Sequence, residues 1–252
     1  MMNVMSSVPW HENDSYWASV YDFFFSEKAF NQAAQNVPKL IQLSGRGSGN
    51  VLDVGCGPGR FAVPLAKQGF NVTGVDRTRL LLDRGKEYAA AQGVDVEWVH
   101  DDMRQFVRPD TYDLAISMFT SFGYFEDINE NRIVLENVFK SLVPGGVLLI
   151  DIMGKEILAR KMQQTGVDTF PNGDLFIERR QIVDDWQKVE NEIMTITQGE
   201  IRRFPIRLWI FSGRELRSLL TDAGFTTTKL YGNIDGIPYG LDATRLIAVS
   251  QK

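Results

Sequence analysis

The chain has 252 residues, 44% of them apolar and 23% charged, with a formal net charge of −5. That length suits one large domain with a sizeable core, and the acidic balance gives no global electrostatic reason to bind nucleic acid or an anionic membrane. One cysteine, Cys56, and two histidines, His11 and His100, exclude an internal disulfide and a cysteine-based zinc site, and no metal is expected.

The opening MMNVMSSVPWHEND lacks the basic start and apolar centre of a secretory leader. No window approaches the roughly 18 uninterrupted apolar residues of a membrane span. A cytoplasmic protein without a membrane partner is therefore expected. Residues 1–44 read as an aromatic helical cap, and LSGRGSGN (43–50) is the one linker-like stretch.

Beyond it, short apolar runs alternate with helical stretches. The pattern predicts strands over 50–55, 71–76, 95–101, 112–119 and 146–152, and helices near 59–68, 78–92 and 129–142. The run GVLLIDI has no polar residue before Asp151, as expected of a strand covered on both faces. This βαβα rhythm predicts a parallel sheet with helices on either side.

Residues 155–210 break the rhythm and read as about three antiparallel strands, with turns at Asp184–Asp185 and Gln198–Gly199. A helix follows, with Ser212 as N-cap, Glu215 completing a capping box and Gly224 ending it. Strands near 226–232 and 244–250 close the chain. The expected division is a core of 45–154 and 211–252, the cap over 1–44 and an antiparallel β insertion over 155–210 acting as a substrate lid, within one structural domain.

In an open parallel sheet, ligands bind beyond the carboxyl ends of the strands. The stretch VLDVGCGPGR puts Gly55, Gly57 and Gly59 at such an end, where glycine allows positive φ and close approach of a ligand to bare backbone. A dinucleotide fingerprint would need its third glycine at residue 60, which is Arg60. The second strand ends in Asp76, whose carboxylate can accept both hydroxyls of a ribose. The third ends in HDDMRQF, offering Asp102 to an adenine amino group beside the apolar Met103. His100 reads as structural.

With these residues the chain resembles the class I S-adenosylmethionine-dependent methyltransferases of small-molecule type. LDVGCGPGR looks like their first motif, GVD their ribose acid and DDM their adenine segment. YDLAISMFTSFGYF and LVPGGVLLID match their fourth and fifth strands, and AGF with a late hairpin their closing strands. The resemblance implies an α/β fold: a seven-stranded, mostly parallel Rossmann-like sheet with helices on both faces and its last strand antiparallel. It implies S-adenosyl-L-methionine as cofactor and S-adenosylhomocysteine as product. Gly55 and Gly57, with Cys56 between them, would approach the methionine part, and Asp53 would orient its amino group. Asp76, followed by Arg77, would hold the ribose, Asp102 and Met103 the adenine, and Met118 and Phe119 would flank the methyl. The helix YWASVYDFFF would close over the cofactor through Trp17 and Tyr21.

Methyl transfer is a direct displacement that depends largely on positioning and desolvation. His11, Tyr16 and Tyr124 are the catalytic candidates, with Glu178 and Tyr239 as further acid–base groups. After the fourth strand the chain reads SMFT, not the (Asp/Asn)-Pro-Pro-aromatic segment of enzymes that methylate DNA amines. The aromatic walls Phe122, Tyr124 and Phe125 suit a small acceptor, methylated on nitrogen or oxygen, nitrogen preferred. A peptide or RNA acceptor and an NAD- or FAD-binding oxidoreductase are the alternatives, Arg60 counting against the latter. In the insertion, Arg203, Arg207 and Trp209 share one strand face and Arg202 and Ile206 the other. An inward-pointing arginine would select a carboxylate or phosphate. Tyr239 and Arg245 are expected to border the pocket. The oligomeric state stays open, a homodimer included.

Overall fold

The computed structural model describes residues 9–170 and 172–252; the first eight residues of the expected cap lie outside them. A 3₁₀ turn, Trp10–Glu12, leads into α1 (Asp14–Phe24) and α2 (Glu27–Ser44). Asn13 starts α1 by accepting from the Ser15 and Tyr16 amides with its side chain at 3.0 and 3.3 Å. Gly45, in the left-handed region, ends α2.

The main sheet then follows as β1 (Asn50–Val54), α3 (Ala62–Lys67), β2 (Asn71–Asp76), α4 (Arg79–Gln92), β3 (Glu97–His100), β4 (Tyr112–Ser117), α5 (Ile128–Ser141) and β5 (Leu142–Ile152). After an insertion it is completed by α7 (Gly213–Asp222), β10 (Thr227–Tyr231) and β11 (Leu246–Gln251). Spatial order is β10-β11-β5-β4-β1-β2-β3, with β11 antiparallel to both of its neighbours and the rest parallel. The seven strands, their mostly parallel pairing and the antiparallel last strand are as expected. β1 pairs with both β2 and β4, so the strand order reverses around its carboxyl end. Val51 packs into the core on one face of the sheet, and Leu52 and Val54 into the core on the other.

The third glycine of the turn has a packing cause. A Cβ on Gly85 would meet the Trp98 indole at 2.6 Å, and a Cβ on Gly59 would overlap the same ring. Trp98 of β3 thus fills a slot between the turn after β1 and helix α4. The capping box at Ser212 and Glu215 is present as expected.

The insertion differs from expectation. It holds a helix, α6 (Lys155–Lys161), and four strands rather than three: β6 (Thr165–Thr169), β7 (Leu175–Val183), β8 (Lys188–Thr197) and β9 (Glu200–Trp209), antiparallel in sequence order. The extra strand, TGVDT, is an exposed edge with no apolar alternation to announce it. Both expected turns are found, with left-handed residues at Asp184, Asp185 and Trp186 and at Gln198 and Gly199. The last strand also begins two residues later than expected, and β5 begins four residues earlier, at Leu142.

A third core joins this second sheet to α1: Tyr16 and Val20 pack against Phe176, Ile193, Phe204 and Ile206. The sheet is tied to the loop after β4 as well. The Trp209 indole donates to the Glu126 carbonyl at 3.1 Å, its amide donates to Gly123 O at 2.9 Å, and Lys188 binds the Glu126 carboxylate at 2.5 Å.

Gly59→Ala should lower unfolding free energy by about 2–5 kcal/mol, the sum of a left-handed non-glycine residue and an overpacked contact. Urea denaturation measures it, and adding Trp98→Phe should recover part of the loss. Additive effects of the two changes would disprove the slot.

Candidate active site

A cavity of about 700 Å³, within the range of small-ligand sites (about 300–1,000 Å³), opens beyond the carboxyl ends of β1, β2 and β4. The 3₁₀ turn, α1 and the inner face of the second sheet cover it. Asp53, Gly55, Cys56, Gly57, Asp76, Arg77, Asp102, Met103, Met118, Phe119 and Trp17 all line it, as do His11, Tyr16, Tyr124, Glu178 and Arg245.

Tyr21 and Tyr239 do not. Tyr21 lies one turn beyond Trp17, on the side of α1 that faces α4. Its ring packs on Phe25 and faces the Arg84 guanidinium at 5.6 Å. Phe24 and Phe25 line the wall instead. The Tyr239 hydroxyl donates to Glu156 at 2.7 Å, outside the cavity.

The floor is the turn after β1. The Gly55 and Cys56 amides both donate to Val75 O, at 2.9 and 3.1 Å. A Cβ on Gly55 would meet Ser121 at 2.9 Å, and its φ is +68°. Gly57 N donates to Asp76 Oδ2 and Thr78 N to Asp76 Oδ1, each at 2.8 Å. Each carboxylate oxygen keeps a lone pair for a hydroxyl of a bound ribose. Burial pushes the Asp76 carboxyl above its ordinary value, against those backbone bonds. The Cys56 thiol, buried against Gly74, is held protonated by burial first and Asp76 second.

Asp53 is 3% exposed, and burial, then the charge of Asp76, pushes its carboxyl up to about 7. Arg60 opposes that rise. Burial lowers the Arg60 guanidinium to about 10, while Asp151 and Asp53 pull it back up. The guanidinium stacks on Phe119 at 3.8 Å, and its hydrogen bond to Phe24 O is a long 3.4 Å. An acid and an under-bonded guanidinium at one end of the cavity fit a ligand carrying both an ammonium and a carboxylate. The sequence reading used Arg60 only as an absent glycine; its place in the first turn after the glycines was the available signal.

Phe119 and Thr120 are consecutive left-handed residues, φ +55° and +64°. Asp151 holds them: Phe119 N donates to Oδ2 at 3.3 Å and Thr120 N to the Asp151 carbonyl at 2.8 Å. Arg245 Nε in turn donates to Asp151 Oδ1 at 2.6 Å, and its Nη2 to Thr120 Oγ1 at 3.1 Å. Such backbone costs of order 1–3 kcal/mol per residue and persists only where its surroundings over-determine it.

Asp102 is not the free acceptor expected. Arg104 binds it at 2.6 Å through Nη2 and 3.0 Å through Nε, and Arg77 binds the same carboxylate. Burial pushes its carboxyl up, but the bonds from Arg104 and then Arg77 outweigh this and hold it below the usual range. Arg77 also reaches Glu12 at 3.0 Å, tying the cap to this network.

None of the three catalytic candidates is poised as a base. Burial, then Arg104 and Arg77, lower His11 to about 4, and its ring packs edge-on to Phe125 at the Asp102 end of the cavity. Burial raises the Tyr16 and Tyr124 phenols, so both stay protonated. His100 Nε2 lies 2.8 Å from Arg77 O. In the second sheet Phe204 and Ile206 face inward, while Arg203 is 57% exposed. The arginine on the cavity wall is Arg180, paired with Glu178.

Residues 51–146 match the family model described as "Methyltransferase domain". Over 248 residues the chain is 25% identical to a Geobacillus sp. (strain WCH70) protein provisionally named a methyltransferase, covering 96% of this chain and 99% of that one. An S-adenosylmethionine-dependent methyltransferase from Clostridium acetobutylicum has the same fold, with a TM-score of 0.78 and 16% identity over 94% of this chain and 98% of that one. So has an amino pentose methyltransferase from Micromonospora echinaspora, solved with S-adenosylmethionine bound (TM-score 0.68, 21% identity, 92% and 96% covered).

His11 gives the site a pH signature. Its lowered value means that the unfolded chain binds the extra proton between about pH 6.5 and 4, so its contribution to stability is present above that window and lost as pH falls through it. Compared with the parent, His11→Gln should lose this slope in denaturation midpoints. Imidazole NMR should place the His11 midpoint near 4. A midpoint above 6 would mean the ring is solvated.

Proposed function

We propose that the chain, which matches a methyltransferase domain over residues 51–146, is a class I S-adenosylmethionine-dependent methyltransferase that methylates an amine nitrogen of a small metabolite. The observation that carries this is the state of the acid–base groups around the acceptor. Two phenols are held protonated, and Glu178 is committed to Arg180. None is poised to deprotonate a hydroxyl, whereas a neutral amine brings its own lone pair. The likeness to a fold that acts on an amino pentose supports the same reading.

S-adenosylmethionine, when bound, would supply a methyl on a positively charged sulfur to the acceptor amine. Asp53, ionised, would accept from the ammonium of the methionine end and Arg60 would pair with its carboxylate. Asp76 would accept from the ribose hydroxyls. Met103 would pack on the adenine beside the Asp102–Arg104 network. Trp17, fixed by its indole bond to His11 O at 3.1 Å, closes the cavity from the cap side. The second sheet serves as a lid: its apolar inner face excludes water from the transfer and so strengthens the electrostatic contacts inside.

Calorimetry with S-adenosylhomocysteine tests this directly. Asp76→Ala should weaken binding by about 1.5–3 kcal/mol, the scale of lost charge-assisted hydrogen bonds. Because the Asp53 carboxyl sits at about 7 and the ligand's ammonium favours its ionised form, affinity should rise as pH increases toward 7. Protons should be released on binding at pH 6, seen as a dependence of the heat on buffer ionisation enthalpy, and Asp53→Asn should abolish the release. No binding at millimolar ligand would sink the proposal. A screen of small amines and matched alcohols for methylated product then tests the preference for nitrogen.

A further inference from the structure

Where it lines the cavity, the inner face of the second sheet is apolar except at one place. Phe176, Ile193, Phe204 and Ile206 form its buried surface. Among them stand Glu178, which pairs across the sheet with Ile193, and Arg180, which pairs with Asn191. Asn191 Nδ2 donates to Glu178 Oε1 at 2.9 Å, and Arg180 Nη2 binds Glu178 Oε2. All three line the main cavity. Asn191 Oδ1 is shut off from water and has no hydrogen-bond partner. Tyr16 packs on the same face, close enough for the charge of Glu178 to bear on its hydroxyl.

Such a cluster is a poor device for stability. A carboxylate, a guanidinium and an amide set in an apolar sheet face cost desolvation that apolar residues of similar volume would avoid. The unpartnered amide oxygen adds the penalty of a buried, unsatisfied acceptor. The bonds already made define what would complete it. Glu178 and Arg180 cancel each other's charge, so an acceptor's own carboxylate or phosphate would arrive without a free counter-charge. What is left over toward the cavity is acceptor capacity, the remaining lone pairs of the Glu178 carboxylate, which Asn191 Nδ2 and Arg180 hold in place. A neutral O–H donor matches it.

We propose that Glu178, Arg180 and Asn191 form the subsite that anchors the methyl acceptor, and that the acceptor is an amino alcohol with an apolar frame. Its hydroxyl sits on Glu178, which Asn191 and Arg180 orient, its frame against Ile193 and Ile206, and its amine toward Met118 and Phe119. This rests on the reading of the cavity as the site of methyl transfer to an amine.

The test uses the full chain saturated with S-adenosylhomocysteine and three probes matched in frame: trans-4-aminocyclohexanol, cyclohexylamine and cyclohexanecarboxylate. Affinities come from ligand-observed NMR titration. The amino alcohol should bind about ten-fold more tightly than the plain amine, the effect of one well-formed buried hydrogen bond, and the carboxylate more weakly than both. Asn191→Leu and Glu178→Gln should each reduce that preference to within about two-fold while leaving S-adenosylhomocysteine affinity unchanged, which also shows that the variants fold. Equal binding of amine and amino alcohol, a preference that survives Asn191→Leu, tighter binding of the carboxylate, or no binding of any probe each overturns the subsite. Failure of S-adenosylhomocysteine itself to bind brings down the functional reading instead, and the same comparison on the unloaded protein still decides the subsite.

Discussion

The Asp76 carboxylate accepts one backbone amide from each of two turns: Gly57 of the loop after β1 and Thr78 at the start of α4. Those bonds lock the glycine turn to the end of the neighbouring strand, and the remainder of the floor is built on that lock. Gly55 and Cys56 add two bonds from the same turn to the carbonyl of Val75. With the turn fixed, Asp53 is driven beneath it into a buried position and Arg60 emerges on its far side. A residue that looks from the sequence like a ligand-binding acid is therefore also the strut of its own site. Loss of its carboxylate would disturb the floor as well as any contact to a ribose, which is why Asp76→Asn, able to keep one acceptor, is a useful companion to Asp76→Ala.

What could be read from the chain alone was what is local or periodic. The apolar runs of β1, β2, β4 and β5, the acids that end them and the capping box at Ser212 all declare themselves within a few residues. Most of the features that escaped depend on partners far away in sequence. Asp102 reads as a free acceptor although one partner, Arg104, is only two residues on; the other, Arg77, reaches it from the loop after β2. Tyr21 and Trp17 share a helical repeat, and only the crossing of α1 over α4 separates their environments. Arg60 sits where a dinucleotide loop would have glycine; only the folded turn puts its guanidinium on the face of Phe119. The strand TGVDT carries no hydrophobic pattern because its pairing with β7 is an edge that buries little.

Electrostatics divides the cavity into two regimes. Around Asp53 and Asp102, buried charges lie close together and shift their neighbours: Asp53 up toward neutrality, His11 down to about 4, Asp102 held ionised by its arginines. Toward the second sheet the wall is apolar, and its one charged pair is internally balanced. A ligand spanning both would place its ionic groups where counter-charges wait and its uncharged part where water is absent. The left-handed pair Phe119–Thr120, clamped by Asp151 and Arg245, stands at the boundary, with the Phe119 ring between the Arg60 and Arg245 guanidiniums.

The core shared by α1 and the second sheet has a mechanical consequence. Tyr16 and Val20 are as buried against Phe176, Ile193, Phe204 and Ile206 as any residue of the main sheet. Peeling the cap away from the sheet would expose those side chains at about 1.5–3 kcal/mol for each that is fully uncovered. Swinging both together exposes none of them. Helix α1 and the second sheet, though separated by more than a hundred residues of chain, are thus held together as one roof over the cavity.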